Sequence, residues 1–314
     1  MSSESRVFAI VVTFNGAKWI RKCVGSLLYE SDVDLDVLVV DNASEDETLD
    51  ILREEFPSVK IIKNDRNEGF GKANNKGIEF AWRSGATHFL LLNQDAWVHP
   101  GTVRKLLDVQ EKWSLPLVSP VHLNGTGQAL DSGFEKNSTM PDRVCDVVKD
   151  VLFNDLKPYY EFPFVNAACW LLPRKTVESI GGFDPIYFHY GEDGDYCRRL
   201  SLHLGNPCVV LGAFISHDRD GKGNSKIWEN LKLLYSLFRI YGVKPANGKE
   251  KLRFHLKYTF RLLHHCAALN FKAAGRIINS YRTFIKMRPE QKEHVKKNLS
   301  QGPNWLSLDT AKDE

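Results

Sequence analysis

Residues 7–13 read VFAIVVT, an apolar and mostly β-branched run that ends at a threonine. Such a run is typical of a strand that is buried on both faces, as in a parallel sheet covered by helices. Further strand-like runs follow, and segments with helical spacing separate them. The strand-like runs are LDVLVV (35–40), VKIIK (59–63) and HFLLL (88–92), and the helical segments are 17–29, 44–56 and 71–84. This alternation predicts βαβ units, and therefore an α/β fold with a mostly parallel sheet flanked by helices.

The pattern continues less regularly to about residue 221. Residues 122–162 have weak periodicity and are predicted to form a long, irregular segment, the excursion. The remaining predicted helices are 97–112, 174–180 and 192–204, and the remaining predicted strands are 117–121, 164–172 and 209–215. Residues 1–221 have 23 Lys and Arg against 32 Asp and Glu, whereas residues 222–314 have 19 against 7. We therefore expect a catalytic domain at 1–221 and a basic helical region at 222–314.

Polar side chains follow the ends of several predicted strands. Asp41, Asn93, Asp95 and His217 each come directly after a hydrophobic run. In open parallel sheets, ligands bind beyond the carboxyl ends of the strands. We therefore expect these side chains to meet at one edge of the sheet.

The sequence Asn93-Gln94-Asp95 carries two oxygen-bearing side chains two positions apart. After a strand, such side chains can face the same way and offer oxygens to a hard cation. The same sequence also suits a turn, because Asn and Asp are common turn residues. His217 has two corresponding readings, a structural hydrogen-bonding residue or a ligand of a Mn²⁺-type ion.

Residues 190–199, YGEDGDYCRR, place Glu192, Asp193 and Asp195 at the start of a predicted helix. Carboxylates at this position can serve only to cap the helix. Alternatively, one of them is a general base that takes the proton from an acceptor hydroxyl. Four rings nearby could stack on a sugar or belong to the core, namely Phe183, Tyr187, Phe188 and Tyr190.

Six segments together resemble the family 2 glycosyltransferases of the GT-A fold. They are VVTFN (11–15), VVDNASEDET (39–48), NEGFGKANNKG (67–77), LLNQDAW (91–97), GGFDPIYFHYGEDGDYCRRL (181–200) and ISHD (215–218). They occur in the order of the family and extend over roughly residues 7–220. The sequence is most similar to the bacterial rhamnosyltransferase-like branch, which builds cell-surface polysaccharides.

The resemblance implies a role for each matching position. A nucleotide-diphosphate sugar would lie beside Thr13, Asn15, Asp41, Asn42, Ser44, Arg66, Asn67, Gly69, Asn74 and Asn93. Asp95 would bind Mg²⁺ or Mn²⁺ with His217, Asp193 would be the base with Glu192 beside it, and Ala167, Ala168 and Trp170 would border the sugar or acceptor. Asn93 replaces the acid that often begins the family's D-x-D motif, so one negative charge is missing. The implied reaction is an inverting transfer to a hydroxyl of a glycan or a lipid-linked glycan.

Two rival functions share some of these features. A sugar-phosphate nucleotidyltransferase would need a glycine-rich basic loop after the first strand, where this chain has only Gly16 and Lys18. A non-catalytic carbohydrate-binding relative would not need Asp95, Asp193 and His217. A nicotinamide oxidoreductase is disfavoured because the dinucleotide glycine fingerprint is missing.

The basic region at 222–314 has three possible uses. Its helical segments, 226–241 and 251–288, can pack on the catalytic domain, form a homodimer, or touch an anionic membrane near a lipid-linked acceptor. No long apolar span is present, and six scattered cysteines suit a reducing compartment. We expect a cytoplasmic protein, peripheral at the inner face of the membrane in the third case, with no nucleic-acid partner.

Overall fold

A computed structural model describes residues 5–138, 141–219 and 225–308. The predicted domain boundary between residues 221 and 222 lies outside these ranges. None of the helices in the described ranges combines the length and the apolar character that a membrane crossing requires.

Strands and helices alternate along the first two thirds of the chain. The described strands are β1 Arg6–Thr13, β2 Asp34–Asp41, β3 Lys60–Lys63, β4 His88–Asn93, β5 Ala96–Val98, β6 Val118–Asn124, β7 Tyr159–Glu161, β8 Cys169–Pro173 and β9 Cys208–His217. The described helices are α1 Ile20–Leu28, α2 Thr48–Glu55, α3 Phe70–Arg83, α4 Thr102–Trp113, α5 Ser132–Ser138, α6 Pro141–Leu152, α7 Arg174–Ile180, α8 Glu192–His203, α9 Ser225–Ile240, α10 Gly248–Ala267 and α11 Phe271–Asn298.

The strands form one mixed sheet in the order β3-β2-β1-β4-β8-β6-β9-β5, and β7 pairs with β9. The first four neighbours, β3 to β4, are parallel, as the βαβ pattern predicts. Strand β8 then runs antiparallel to β4, and β6 and β9 are parallel to each other. The parallel character is therefore concentrated in the N-terminal half of the sheet.

Both faces of the sheet are buried, and β1 shows why its sequence is apolar throughout. Val7, Ala9 and Val11 pack on one side with α1, α2 and α4. Phe8 and Ile10 pack on the other side with α3, α7 and α8. A strand between two helical layers can expose neither set of side chains, so it loses the polar alternation of a surface strand. The predicted fold class, a sheet flanked by helices with a C-terminal helical part, is confirmed.

The chain divides into two compact units, and the first contains residues 1–220 together with 301–314. The described end of the chain lies against the core of this unit. Gly302 N donates to Ser179 O and Gly182 N donates to Asn304 O, both at 2.8 Å, and Leu306 packs on the face that contains α3 and α7. The sequence grouped residues 301–308 with the basic helices, whereas the structure places them with the catalytic unit. Their sequence carries no periodicity that would have indicated this.

The second unit, residues 221–300, contains α9, α10 and α11. Leu237 and Phe238 of α9 are fully buried, and Phe238 lies beside Phe284 of α11. His255 of α10 connects the end of α9 with α11. Its ring nitrogens lie 3.0 Å from the hydroxyl of Tyr241, which follows α9, and 2.9 Å from the hydroxyl of Tyr281 in α11. The segment that we expected as one helical stretch, 251–288, is two helices separated by a turn at 268–270.

Candidate functional site

The strand register brings the predicted site residues to one edge of the sheet. Thr13 pairs with Asp41 at the ends of β1 and β2, and Val12 pairs with Asn93 at the end of β4. On the far side of the sheet, Ala96 of β5 pairs with His217. The backbone continues this arrangement, because Asp218 N donates to Asp95 O at 2.8 Å.

The end of β2 is tied to the loop after β1 by short polar contacts. Asp41 is fully buried, and its carboxylate accepts a hydrogen bond from Ser44 N at 3.1 Å. Asn15 N donates to Ser44 Oγ, and Asn15 Oδ1 accepts from Glu45 N, both at 2.9 Å. Asn15 is exposed and has a φ of 50°, an uncommon conformation that asparagine tolerates better than most residues. These contacts hold the two loops at a fixed distance.

Ser44 does not cap α2, although the predicted helical segment, 44–56, began at this residue. The helix begins at Thr48, and its N-cap residue, Glu47, makes no side-chain hydrogen bond to the helix. Asp46 instead accepts from Thr48 N at 3.1 Å. The hydroxyl of Ser44 is engaged by Asn15, so it serves the site loop rather than the helix.

The side-chain amides around the loop that precedes α3 form hydrogen bonds with other groups of the protein. Asn42 Nδ2 donates to Asn67 Oδ1 at 3.1 Å, and Asn67 Oδ1 also accepts from Gly69 N at 2.9 Å. Asn74 is buried, and its Nδ2 donates to Phe70 O at 3.0 Å. These contacts fix the shape of the loop, while Arg66 is exposed at its start.

Gly69 brings this loop against the loop before α8. It has a φ of +86°, and a Cβ atom at this position would lie 2.0 Å from Phe188 O. Phe70 N donates to the same carbonyl at 3.2 Å. Only glycine fits both the backbone conformation and this close approach.

Asp95 and His217 lie together, and a second carboxylate faces the other side of the imidazole. His217 Nε2 is 3.3 Å from Asp95 Oδ1, and His217 Nδ1 is 3.8 Å from Asp131 Oδ2. Asp131 is itself fixed, because it accepts from Phe134 N at 2.8 Å and from Arg219 Nε at 2.9 Å. A carboxylate on one side of an imidazole sets the orientation of the ring and leaves the other nitrogen for a ligand.

The donor set at Asp95 fits a divalent cation. Two donor atoms 3.3 Å apart suit neighbouring positions on an ion whose ligands lie at about 2.1 Å and at right angles, a separation of about 3 Å. Asn93 Oδ1 is buried without a hydrogen-bond partner in the protein, as a polar group that awaits a ligand would be. Within the described residues, no three His, Cys, Asp or Glu side chains form a complete metal site. Asp95 and His217 can therefore supply part of a coordination shell, which a donor's phosphate oxygens or water would complete.

The three acids at the start of α8 have different surroundings. Asp195 is buried and paired with Arg199 at 2.9 Å, and Arg199 also donates to the carbonyls of Ile180 and Gly182. This network anchors α8 and leaves Asp195 as a structural residue. Glu192 is buried and its Oε2 atom has no hydrogen-bond partner, whereas Asp193 is partly exposed.

The charges of this group are coupled. Burial, followed by the charge of Asp193, raises the pKa of Glu192 to about 8. Burial also raises the pKa of Asp193, although the Gly194 N–H and the charges of Arg198 and Arg219 oppose the rise. At neutral pH, Glu192 is therefore mainly protonated, and Asp193 is the carboxylate better placed to accept a proton.

Tyr190 lies in the loop before the acids of α8. Burial raises the pKa of Tyr190, and the charges of Glu192 and Asp95 raise it further. The loop before α8 is also tied to the end of β2, because Asn42 Nδ2 donates to Gly69 O and Phe70 N donates to Phe188 O, both at 3.2 Å.

The aromatic residues near the site divide into core and surface. Phe183 and Tyr187 are buried, whereas Phe188 is 50% exposed. Trp170, which the family resemblance places beside the sugar or acceptor, is fully buried and stacks on Phe183 at 6.0 Å. We therefore assign Trp170 to the core, and Phe188 is the ring with enough exposed surface to meet a ligand.

Two residues of the site were missed in the sequence. Gln94 Oε1 accepts from Thr13 Oγ1 at 2.6 Å and from Phe14 N at 2.9 Å, so it ties the ends of β4 and β1 together. Asp131 lies in the excursion with weak periodicity. Its position before Ser132-Gly-Phe134 is a helix N-cap signal, which could have located α5 but not the contact with His217.

Comparisons with known proteins bear on the family and the fold of the chain. The model of the family described as Glycosyl transferase family 2 matches residues 8–127. The N-acetylglucosaminyl-diphospho-decaprenol L-rhamnosyltransferase of Mycobacterium tuberculosis is 26% identical over 234 residues, which cover 67% of this chain and 75% of the relative. The dTDP-rhamnosyl transferase RfbF of Shigella flexneri is 28% identical over 203 residues, or 62% of this chain and 63% of the relative.

A solved structure shows the same fold. The mannosyltransferase PcManGT of Pyrobaculum calidifontis, in complex with GDP-Man and Mn²⁺, superposes with a TM-score of 0.56 at 19% identity. The match covers 95% of this chain and 88% of that protein. Residues 8–127 therefore match the glycosyl transferase family 2 model, and the protein has the GT-A fold; it is a glycosyltransferase, and it resembles the rhamnosyltransferases among its relatives.

Proposed function

We propose that the protein transfers a sugar from a nucleotide-diphosphate donor to a hydroxyl of a glycan or lipid-linked acceptor, with inversion, in cell-surface polysaccharide synthesis. The donor we favour is dTDP-rhamnose, because two of the relatives are named as rhamnosyltransferases. The observation that carries the proposal is the contact of Asp95 with His217 beyond the strand ends, together with the Glu192–Asp193 pair at the start of α8, whose preceding loop lies against Gly69.

The donor would lie across the carboxyl ends of β1, β2 and β4. Asp41 offers a buried carboxylate to a pyrimidine base, and Thr13 and Asn15 border the nucleoside. Asp95 and His217 would hold a Mg²⁺ or Mn²⁺ ion, which supplies positive charge beside the departing diphosphate. The missing charge at Asn93 predicts weaker metal binding than two acids would give.

Asp193 would accept the proton of the acceptor hydroxyl. The hydroxyl oxygen forms a bond to the anomeric carbon while the bond from that carbon to the diphosphate oxygen breaks, and the nucleoside diphosphate leaves with the bonding electrons. Attack on the face opposite the leaving group inverts the anomeric centre. Of the three acids, Asp195 is bound by Arg199 and Glu192 is buried, whereas Asp193 is partly exposed, so we assign the base role to Asp193.

The first test of this proposal is an assay with a panel of nucleotide-sugar donors. We would incubate the protein with dTDP-rhamnose, UDP-sugars and GDP-sugars, each with Mn²⁺ or Mg²⁺, and measure donor binding and turnover. Release of nucleoside diphosphate from dTDP-rhamnose is expected. Formation of a nucleotide sugar from a sugar phosphate and a nucleoside triphosphate would instead show a nucleotidyltransferase. Donor binding without turnover on any acceptor would favour a non-catalytic relative.

Variants test the individual roles. Asp193→Asn should reduce turnover by about 10²- to 10⁴-fold, the usual contribution of a general base, while donor binding is retained. Asp155→Asn, an exposed acid of the same domain, is the matched control. Asp95→Ala should abolish the Mn²⁺ dependence of nucleoside-diphosphate binding, and metal-dependent binding that survives the change would remove Asp95 from the site.

A further inference from the structure

Helix α10 carries an exposed apolar stripe that the fold does not use. Leu252, Leu256, Phe260 and Leu263 are 61%, 47%, 68% and 59% exposed, and no residue of this helix is buried. Their spacing of four, four and three positions places them on one side of the helix over three turns. Isolated apolar residues are normal on a protein surface, but a continuous stripe marks an interaction site.

A row of basic side chains lies beside the stripe. At about 100° of rotation per residue, the four apolar residues occupy an arc of roughly 80°, and Arg253, Lys257 and Arg261 occupy the next 80° on one side. All three basic residues are exposed. Helix α10 thus presents an apolar face and an adjoining cationic face along the same length.

The turn after α10 extends the apolar surface. Leu269 is 73% exposed and Phe271 is 67% exposed, at the point where the chain reverses into α11. Leu269 has a φ of +52°, so the turn holds a branched residue in an uncommon conformation. Exposed leucine and phenylalanine at the tip of a helical hairpin contribute nothing to the core of this unit. They suit insertion into a non-aqueous phase.

The charge of the whole unit identifies the partner. Residues 221–300 contain 18 Lys and Arg against 4 Asp and Glu, a net charge of +14. Two copies that met through the α10 stripe would bring these charges together, which opposes self-association. A nucleic acid would satisfy the charge but would leave the Leu and Phe stripe in water. A surface that is both anionic and apolar beneath its headgroups satisfies both faces.

We infer that α10 is the membrane-binding surface of this protein. The stripe Leu252, Leu256, Phe260 and Leu263 enters the headgroup region of an anionic bilayer, and the row Arg253, Lys257 and Arg261 binds the lipid phosphates. The inference rests on the second unit alone. It would bring the enzyme to the surface at which a lipid-linked acceptor resides.

The test is sedimentation of the full-length protein with vesicles, without donor or acceptor. Vesicles of phosphatidylcholine alone are compared with vesicles that contain about 30% phosphatidylserine, at two salt concentrations. We expect binding to the anionic vesicles at least tenfold tighter than to the neutral ones, and weaker at high salt. The variant R253Q/K257Q/R261Q should lose about 10²-fold in affinity, about fivefold for each basic residue near the surface. The variant L256S/F260S should lose more than tenfold.

Matched controls come from the first unit. L28S/Y29S changes two exposed apolar residues, and K105Q/K112Q/K175Q removes three exposed charges. Both should bind vesicles as the unchanged protein does. Transfer to a water-soluble acceptor should be unaltered in the α10 variants, so a failure of the proposed reaction and a failure of membrane binding can be told apart.

Several results would overturn the inference. Equal binding to neutral and anionic vesicles, or unchanged binding in both α10 variants, would exclude α10 as the anionic-lipid surface. Absence of vesicle binding together with a dimer that L256S/F260S converts to a monomer would make the stripe a subunit interface. Absence of vesicle binding together with oligonucleotide binding that the basic variant loses would assign the unit to nucleic acid.

Discussion

Substitution of Gly69 by alanine should separate the two loops that border the site. Gly69 has a φ of +86°, and the new Cβ atom would lie 2.0 Å from Phe188 O. Real Cβ contacts essentially never fall below 3.0 Å, so the loop at residues 187–190 must move by about 1 Å. The carbonyl is backbone, and no flexible side chain can absorb the displacement.

The size of the effect on activity follows from what the displaced loop carries. It leads directly into Glu192 and Asp193 at the start of α8. A misplacement of about 1 Å in a catalytic group can cost about 10²-fold in rate. The backbone conformation of Gly69, φ 86° and ψ 168°, adds about 1–3 kcal/mol of strain when the residue is not glycine. We therefore expect kcat/KM to fall by about 10²-fold, with a smaller loss of stability.

The assay compares Gly69→Ala with a matched control, Gly101→Ala. Gly101 also has a positive φ, +74°, but a Cβ atom added there would have no neighbouring atom within 4 Å, so the control introduces backbone strain, smaller than at Gly69, without the displacement. Donor turnover and thermal unfolding are measured for both. The control should lose stability but keep its activity. Normal turnover in Gly69→Ala, or equal losses of turnover in both variants, would refute the link between this contact and the position of Asp193.

Three further changes test other parts of the structure. Folding raises the pKa of Glu192 from its ordinary value of 4.5 to about 8. The protonated form of Glu192 therefore adds to the free energy of unfolding. This addition is complete below pH 4.5, and it is lost as the pH rises towards and through 8. Thermal unfolding between pH 5 and pH 9 should show this fall, and Glu192→Gln should flatten it; an identical slope in the variant would contradict the assignment. Asp131→Asn should weaken Mn²⁺-dependent nucleoside-diphosphate binding by about 10- to 100-fold, because the variant lacks the carboxylate that orients His217. Titration calorimetry with and without Mn²⁺ measures this effect. Unchanged binding would show that the 3.8 Å contact between Asp131 and His217 has no orienting role. Asn75→Ala should cost about 2–5 kcal/mol in urea unfolding, because both the N–H and the carbonyl of Phe183 lose a buried partner; a loss below about 1 kcal/mol would mean that water replaces the amide.

The parallel half of the sheet could be predicted from sequence because its signal is local. The run VFAIVVT in β1 is apolar at every position except the last, Thr13, and its side chains are buried on both faces. The antiparallel strand β5 was missed, since Ala96–Val98 is only three residues long and lies where a helix was expected. Residues 122–162 contain α5, α6 and β7. Strand β7 pairs with β9, which lies about 50 residues later in the sequence, and the periodicity of the segment does not indicate this long-range pairing.

The candidate site was predictable where strand ends placed it. Asp41 and His217 follow apolar runs, so the topology alone brings them to one edge. The contacts that shape the site join residues that are far apart in the sequence, such as Gln94 with Thr13 and Asp131 with His217. The spacing of residues along the chain does not predict such contacts. The resemblance to known glycosyltransferases supplied roles for positions, but it did not reveal which amides are engaged within the protein.

The return of residues 301–308 to the first unit has a consequence for how the protein is made. Gly181 leaves room for the backbone of Asn304, Gly182 leaves room for the side chains of Asn75 and Leu306, and Leu306 packs on one face of the core. Residues 301–308 must therefore be synthesised, after the three helices at 225–298, before the first unit can close its core. Domains usually fold in the order of synthesis, but here the unit that begins first is completed only after the second unit has been made. A chain that ends before residue 301 would leave α7 without these contacts.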